Sequence, residues 1–156
     1  MQFRNRLLKE IKDAQSPQDS DSIALRCIKE DMLCWEANIK GSPDTPYDGA
    51  SFLVKLNVPR DYPLAPPAAA FVSRIFHPNV HFSTGEICLD ILKTEWTPAW
   101  TLMSVCRAIH SLLVHPEASS PLNCDAGNLL RSGDTIAFDS VARYYAVELA
   151  GASIED

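Results

Sequence analysis

The stretch SFLVKLNV at residues 51–58 decides the fold class, because it has an apolar residue at every second position, namely Phe52, Val54, Leu56 and Val58. A period of two puts alternate side chains on one face of a β-strand, so this stretch predicts a strand with one buried face. Two strand-like runs come before it, at residues 23–29 and 33–40, and turn-forming residues separate the three runs. Strands joined in this way favour an antiparallel meander.

Four prolines interrupt the chain after this strand, and none of them can donate to a ladder of backbone hydrogen bonds. They are Pro59, Pro63, Pro66 and Pro67. We therefore expect residues 60–67 to cross to a short fourth strand near residues 68–72.

Residues 73–100 then show little periodicity and much Pro, Gly and Asn. This composition predicts a long irregular segment, and such segments in compact domains are usually functional.

Helical patterns flank the predicted sheet. Residues 4–14 combine an apolar stripe with a charged face, and a second apolar stripe runs over residues 101–116. Residues 121–131 and 135–149 indicate two further helices. We expect one α+β domain over residues 1–156, in which a four-stranded antiparallel meander is flanked by an N-terminal helix and three C-terminal helices.

Composition and charge exclude several classes of protein. The 156-residue chain is 46% apolar and 22% charged, and no apolar run approaches the roughly 20 residues of a membrane-spanning helix. We therefore expect a soluble protein that does not insert into a membrane. A net charge of −6 disfavours a nucleic-acid-binding surface.

Cysteine usage and the chain ends indicate the compartment. Five cysteines without a CxxC pair favour a reducing environment, and they argue against a disulfide framework and a zinc site. The first residues lack the apolar core of a secretory signal, and residues 153–156 match no lipidation or peroxisomal import signal. The expected location is the cytoplasm.

Cys88 has the sequence context of an acyl carrier. It lies in GEICLD at residues 85–90, after HPN at residues 77–79 and before WTP at residues 96–98. A thiol is the best nucleophile among the side chains and forms thioesters readily. A cysteine hydrolase is an alternative, since such an enzyme needs a histidine base and an orienting carboxylate near the thiol, and His77 and His81 are close in sequence.

These three motifs, in this order, resemble the signature of ubiquitin-conjugating enzymes. YDG at residues 47–49 and DYPLAPP at residues 61–67 are similar to the family's sheet turn and proline crossover. The resemblance implies a fold of four strands and four helices, and it implies a structural hydrogen-bonding role for His77, which we favour over that of a base. It also implies that Cys88 accepts the C-terminus of ubiquitin as a thioester from an activating enzyme and delivers it to a substrate with a RING-type ligase. We expect no cofactor or metal in this chain, since the activating enzyme is the partner that uses ATP.

The resemblance adds Asn79, Ser120 and Asp90 to the candidate catalytic residues. The amide of Asn79 either stabilises a developing oxyanion or supports the loop that contains Cys88. Ser120 resembles the residue that faces an attacking lysine, and Asp90 either joins it there or caps a turn. The loop between Asn79 and Cys88 is one residue longer than in common family members, which leaves open whether Asn79 is displaced from the thiol.

The remaining expectations concern binding surfaces and the other cysteines. Leu64, Pro98 and Ala99 match the two loops through which the family meets ligases, and Arg6 on the first helix is the expected third contact. The basic residues of that helix suit an acidic groove on the activating enzyme. Three cysteines are expected as small buried hydrophobes. They are Cys27, Cys34 and Cys106.

Residues 120–134 and the longer loop before Cys88 look like the fungal peroxisomal branch of the family. That resemblance implies that the enzyme modifies peroxisomal import receptors, on lysine or cysteine, so that they are recycled. It also implies that a membrane-anchoring peroxin recruits the enzyme to the cytosolic face of the peroxisomal membrane. Two alternatives stay open, namely a general cytosolic ubiquitin-conjugating enzyme and a carrier of another ubiquitin-like modifier.

Overall fold

The computed structural model describes residues 2–16 and 21–153. In chain order the elements are α1 (Gln2–Ala14), β1 (Ile23–Cys27), β2 (Cys34–Lys40), β3 (Ser51–Asn57), β4 (Ala68–Phe71), α2 (Leu102–Val114), α3 (Cys124–Arg131) and α4 (Thr135–Ala150). The predicted order of helices and strands is therefore confirmed. No helix within the described ranges has the length and apolar content needed to cross a bilayer.

The four strands form one antiparallel sheet in the order β1-β2-β3-β4. On β3 the side chains of Phe52, Val54 and Leu56 are buried, as the alternating pattern predicts. Trp35 on β2 lies opposite Leu56, and Ile39 lies opposite Phe52. This buried face of the sheet forms the core, and the predicted meander and fold class are confirmed.

Helix α2 packs against the sheet and contributes its apolar stripe to the core. It packs against β1 and β2, while α1 packs against β1 and α2, and α3 packs against α4. The apolar stripe of α2 is buried through Val105, Cys106 and Ile109. Its first turn is capped by Thr101, whose hydroxyl accepts the backbone N–H of Ser104 while the Ser104 hydroxyl accepts the N–H of Thr101.

The predicted start of α3 at residue 121 is wrong by three residues. The helix begins at Cys124, after an N-cap at Asn123 whose side chain accepts the N–H of Ala126. The backbone N–H groups of Leu122 and Asn123 instead donate to the carbonyl of Pro78, at 2.8 and 3.2 Å. Tertiary contacts to an irregular segment therefore take the place of a first helical turn.

The expectation for the other cysteines is confirmed in part. Cys106 is fully buried, and burial raises the pKa of its thiol to about 12. Cys27 and Cys34 are only half-buried, because they lie at the strand ends. The thiol of Cys27 donates to the carbonyl of Lys29 at 3.2 Å.

A buried carboxylate connects α1 to the start of α2. Glu10 is 4% exposed, and its Oε2 accepts from the Tyr62 hydroxyl at 2.6 Å and from Arg6 Nε at 3.1 Å. Its Oε1 accepts the backbone N–H of Leu102, the first residue of α2, at 2.6 Å. That N–H has no partner within the helix, and a negative charge at a helix N-terminus is favourable. Glu10 therefore fixes the position of two helices and of the crossover that contains Tyr62.

Replacing Glu10 by alanine should lower the free energy of unfolding by about 3 kcal/mol, because it leaves buried donors without an acceptor. Urea unfolding followed by circular dichroism measures this change. Asp13→Ala, on an exposed position of the same helix, is the matched control and should change stability by less than about 0.5 kcal/mol. Equal losses in the two variants would contradict the role given to Glu10.

Candidate active site

Cys88 lies at the end of an irregular hairpin that is fixed to the edge of the sheet. Val80 and Ile87 form an antiparallel bridge just before it. Gly85 has φ +75°, and a Cβ there would lie 1.9 Å from the carbonyl oxygen of Phe71. The same close approach allows the N–H of Phe71 to donate to the carbonyl of Gly85 at 2.9 Å. Glycine is therefore required at position 85, and Cys88 itself is half-buried.

Asn79 is the most extensively hydrogen-bonded residue around the thiol. Its backbone carbonyl accepts the N–H of Cys88 at 2.8 Å, and its backbone N–H donates to Nδ1 of His77 at 3.0 Å. Its side-chain Nδ2 donates to the carbonyl of Glu117 at 2.7 Å, and its Oδ1 accepts the N–H of Glu117 at 2.8 Å. The side chain thus supports the segment that follows α2, while the backbone holds Cys88.

His77 is enclosed in the core and cannot exchange protons with a substrate. It is fully buried, its Nε2 donates to the carbonyl of Leu112 at 2.8 Å, and its Nδ1 accepts from Asn79. Burial lowers the pKa of the imidazole to about 4, so the ring is neutral at physiological pH. The structural role expected for His77 agrees with these contacts.

The longer loop before Cys88 does not separate Asn79 from the thiol-bearing residue. Residues 81–86 form a compact turn in which His81 accepts the N–H groups of Ser83 and Thr84 through Nδ1. The N–H of His81 donates to the carbonyl of Glu86 at 2.9 Å, which closes the turn. The extra length is therefore taken up within the turn, and the hydrogen bond from Cys88 to Asn79 is kept.

Ser120 and Asp90 lie on two different exposed segments. Ser120 is exposed and lies between the backbone contacts of Glu117 to Asn79 and of Leu122 to Pro78. Asp90 is also exposed and begins a short 3-10 turn, Asp90–Leu92, in which its carbonyl accepts the N–H of Lys93. Their catalytic roles stay predictions.

Glu117 was missed by sequence reasoning. It lies 38 positions from Asn79, and both contacts to Asn79 use its main chain. Because a main-chain contact does not depend on the side-chain type, no local sequence signal could have found it. The Glu117 carboxylate also accepts the N–H of Ser119 at 2.9 Å.

The expected ligase contacts lie on two loops that are bonded to each other. Leu64 is 78% exposed, and Pro98 and Ala99 are exposed on the second loop. The indole N–H of Trp96 donates to the carbonyl of Pro63 at 2.9 Å and joins the loops.

Arg6 has a further role in this arrangement. Its guanidinium donates to the carbonyls of Pro98 and Trp100, at 2.9 and 2.6 Å, besides its bond to Glu10. Arg6 therefore anchors the loop that presents Pro98 and Ala99.

No group of three or more His, Cys, Asp or Glu side chains among residues 2–16 and 21–153 is arranged to hold a metal ion.

Comparison with known proteins agrees with this geometry. The family model for ubiquitin-conjugating enzymes matches residues 6–146. Protein PEROXIN-4 of Arabidopsis thaliana is 57% identical over 143 residues, which cover 91% of each chain. Ubiquitin-conjugating enzyme E2 pex4 of Dictyostelium discoideum is 54% identical over 140 residues, covering 90% of this chain and 94% of the relative.

A solved structure gives the same result. The H. polymorpha ubiquitin conjugating enzyme Pex4p, in complex with the soluble domain of Pex22p, has a TM-score of 0.90 and 35% identity, over 98% of this chain and 100% of that chain. The resemblance to the peroxisomal branch is thus confirmed, and it extends to plant and amoebal relatives. The chain belongs to the ubiquitin-conjugating enzyme family and is similar to its peroxin-4 members.

Proposed function

We propose that Cys88 is the residue that accepts ubiquitin. The observation that carries this proposal is the fixed but accessible position of Cys88, whose backbone is bonded to Asn79 while the residue is only half-buried. In loading, the Cys88 sulfur attacks the thioester carbonyl on the activating enzyme. A new C–S bond forms, the old C–S bond breaks, and the thiolate of the activating enzyme leaves.

The site favours a carrier over a hydrolase. A cysteine hydrolase needs an imidazole that can take and return a proton beside the thiol. Both ring nitrogens of His77 are engaged within the core, and its pKa of about 4 makes the imidazole a weak base. A thioester on Cys88 is therefore not attacked by water activated by His77, and it persists until an acceptor arrives.

Ser120 and Asp90 are proposed to act in the discharge step, and Asn79 is proposed to support the loops around Cys88. The two side-chain bonds of Asn79 to Glu117 favour loop support over direct contact with the oxyanion. Ser120 and Asp90 are both exposed, Ser120 on the segment after α2 that is bonded to Asn79 and Asp90 two residues after Cys88. No cofactor takes part in this transfer, because the energy of the thioester comes from ATP used by the activating enzyme.

As a ubiquitin-conjugating enzyme, the protein works with ubiquitin, an activating enzyme and a ligase. We place the ligase on the surface formed by Leu64, Pro98 and Ala99, with Arg6 supporting it from α1. The exposed basic side chains of α1 suit an acidic groove on the activating enzyme. The two partners then use adjoining surfaces and bind in turn.

The peroxisomal role rests on the relatives named peroxin-4 and pex4 and on the Pex4p–Pex22p complex. We propose that a partner corresponding to Pex22p recruits this enzyme from the cytoplasm to the peroxisomal membrane. Its substrates are then import receptors, modified on lysine or cysteine so that they are recycled.

Wild-type protein mixed with activating enzyme, ATP and ubiquitin should form an adduct with one ubiquitin that is cleaved by thiol reagents. Cys88→Ser should convert the adduct into a thiol-resistant ester, because an oxygen replaces the sulfur. Non-reducing and reducing electrophoresis distinguish the two products. The matched control is Cys106→Ser, a buried position that should leave the thiol-sensitive adduct in place. An adduct on Cys88→Ala would assign the nucleophile to another residue.

Asn79→Ala should lower the free energy of unfolding by about 2 kcal/mol, since two hydrogen bonds between the buried Asn79 side chain and the backbone of Glu117 are lost. It should also slow loading and discharge to a similar degree. Urea unfolding and single-turnover assays of each step measure these effects. Slower discharge with unchanged loading and stability would instead show that Asn79 acts on the oxyanion.

The unfolding free energy should fall as the pH is lowered from 6.5 to 4, by about 3 kcal/mol from His77 alone. The sign follows because the unfolded chain binds a proton below its ordinary histidine pKa of about 6.5, while folded His77 stays neutral until about pH 4. Urea unfolding across this range, compared with His77→Gln, isolates the contribution. An equal pH dependence in the variant would refute it.

A further inference from the structure

Gly127 is buried in α3 at a position where the backbone does not require glycine. It is the fourth residue of the helix, and its φ lies outside the left-handed region. Glycine inside a helix is less favourable than alanine, because it loses more backbone freedom on folding. The presence of glycine here therefore needs a reason outside the helix.

That reason is the close approach of Pro121. A Cβ at position 127 would lie 2.6 Å from Cβ and 2.7 Å from Cγ of Pro121. Carbon atoms in contact lie about 3.5–4.0 Å apart, so a methyl group at position 127 requires a shift of about 1 Å. The proline ring is closed on its own backbone and cannot rotate away from the methyl group. The main chain at Pro121 must therefore move.

The segment after α2, which contains Pro121, is held by the same two residues that hold the thiol-bearing residue. Pro78 accepts the N–H of Leu122 through its carbonyl at 2.8 Å. The side chain of Asn79 bonds to the main chain of Glu117, and its own carbonyl accepts the N–H of Cys88 at 2.8 Å. The two ends of the segment are thus fixed relative to Cys88.

Between these two ends, the contact of Pro121 with α3 determines the path of the chain. A proline restricts the residue before it to extended conformations, so the placement of Pro121 also limits that of Ser120. Ser120 is exposed, and its backbone position therefore depends on how closely Pro121 approaches the helix.

We infer that Gly127 is a positioning residue for the discharge step. Its missing side chain lets Pro121 pack closely on α3, and this contact sets the position of Ser120 relative to the thioester on Cys88. The inference rests on the proposed function, in which Ser120 acts when ubiquitin leaves Cys88.

This assignment separates discharge from loading. In discharge to lysine, the amine nitrogen attacks the thioester carbonyl, a C–N bond forms and the C–S bond breaks. The nitrogen loses a proton, and Cys88 is regenerated as a thiol. A displacement of about 1 Å in a group that positions the reactants can slow such a step by up to about 100-fold. Loading does not use Ser120, so it should not depend on Gly127.

The test is Gly127→Ala, with loading from the activating enzyme and single-turnover discharge to free L-lysine measured separately. Discharge should slow roughly tenfold, while the loading rate stays within about twofold of wild type. The matched control is Cys124→Ala, an exposed position on the same helix, which should leave both rates unchanged.

A second background distinguishes positioning from a general effect on the helix. Pro121→Gly removes the ring atoms that the added methyl group would meet, and it also frees Ser120, so it should itself slow discharge but not loading. Adding Gly127→Ala to Pro121→Gly should then cause no further slowing. A general effect on α3 would instead slow discharge by the same factor in both backgrounds.

Three results would overturn the inference while the wild-type thioester still forms: unchanged discharge in Gly127→Ala, equal slowing of loading and discharge, or the same slowing in both backgrounds. If Gly127→Ala does not fold, unchanged discharge in Pro121→Gly would overturn it. Failure of the wild-type protein to form any thioester would overturn the proposed function as well.

Discussion

The structure around the thiol depends on one buried asparagine. Asn79 uses all of its polar atoms at once: its main chain bonds to Cys88 and His77, and its amide bonds to the two backbone groups of Glu117. A buried polar residue whose donors and acceptors are all hydrogen-bonded fixes the positions of its partners, because a movement of any partner breaks a hydrogen bond. The segments before and after α2 are therefore held in one relative position.

This arrangement suits a protein that must hold a reactive ester without destroying it. The imidazole of His77 is neutral and enclosed, with its ring bonded to Leu112 and Asn79. Gly85 ties the turn before Cys88 to the backbone of Phe71 on the sheet edge. The hydrogen bonds of His77 to Leu112 and Asn79 stabilise the region around Cys88 and also prevent His77 from acting as a base.

The sequence allowed the fold to be predicted almost completely, because alternation on β3, the prolines after it and the apolar stripe of α2 are local signals. It was less informative where distant residues meet. The start of α3 depends on the carbonyl of Pro78, and the half-buried state of Cys27 depends on its place at a strand end. Cys88 was predicted from its motif, whereas Glu117 bonds to Asn79 through main-chain groups that no side-chain pattern records.

The carboxylate of Glu10 has a consequence for redesign of this enzyme. Through Arg6, Tyr62 and Leu102 it connects the basic helix to both exposed loops and to the helix that supports the reaction centre. Replacing the first helix to change recognition by the activating enzyme therefore also alters the loop of Pro98 and Ala99, which is part of the surface proposed for the ligase. To change recognition by the activating enzyme without altering the surface proposed for the ligase, the Arg6–Glu10 pair must be kept and substitutions confined to the exposed side chains of α1.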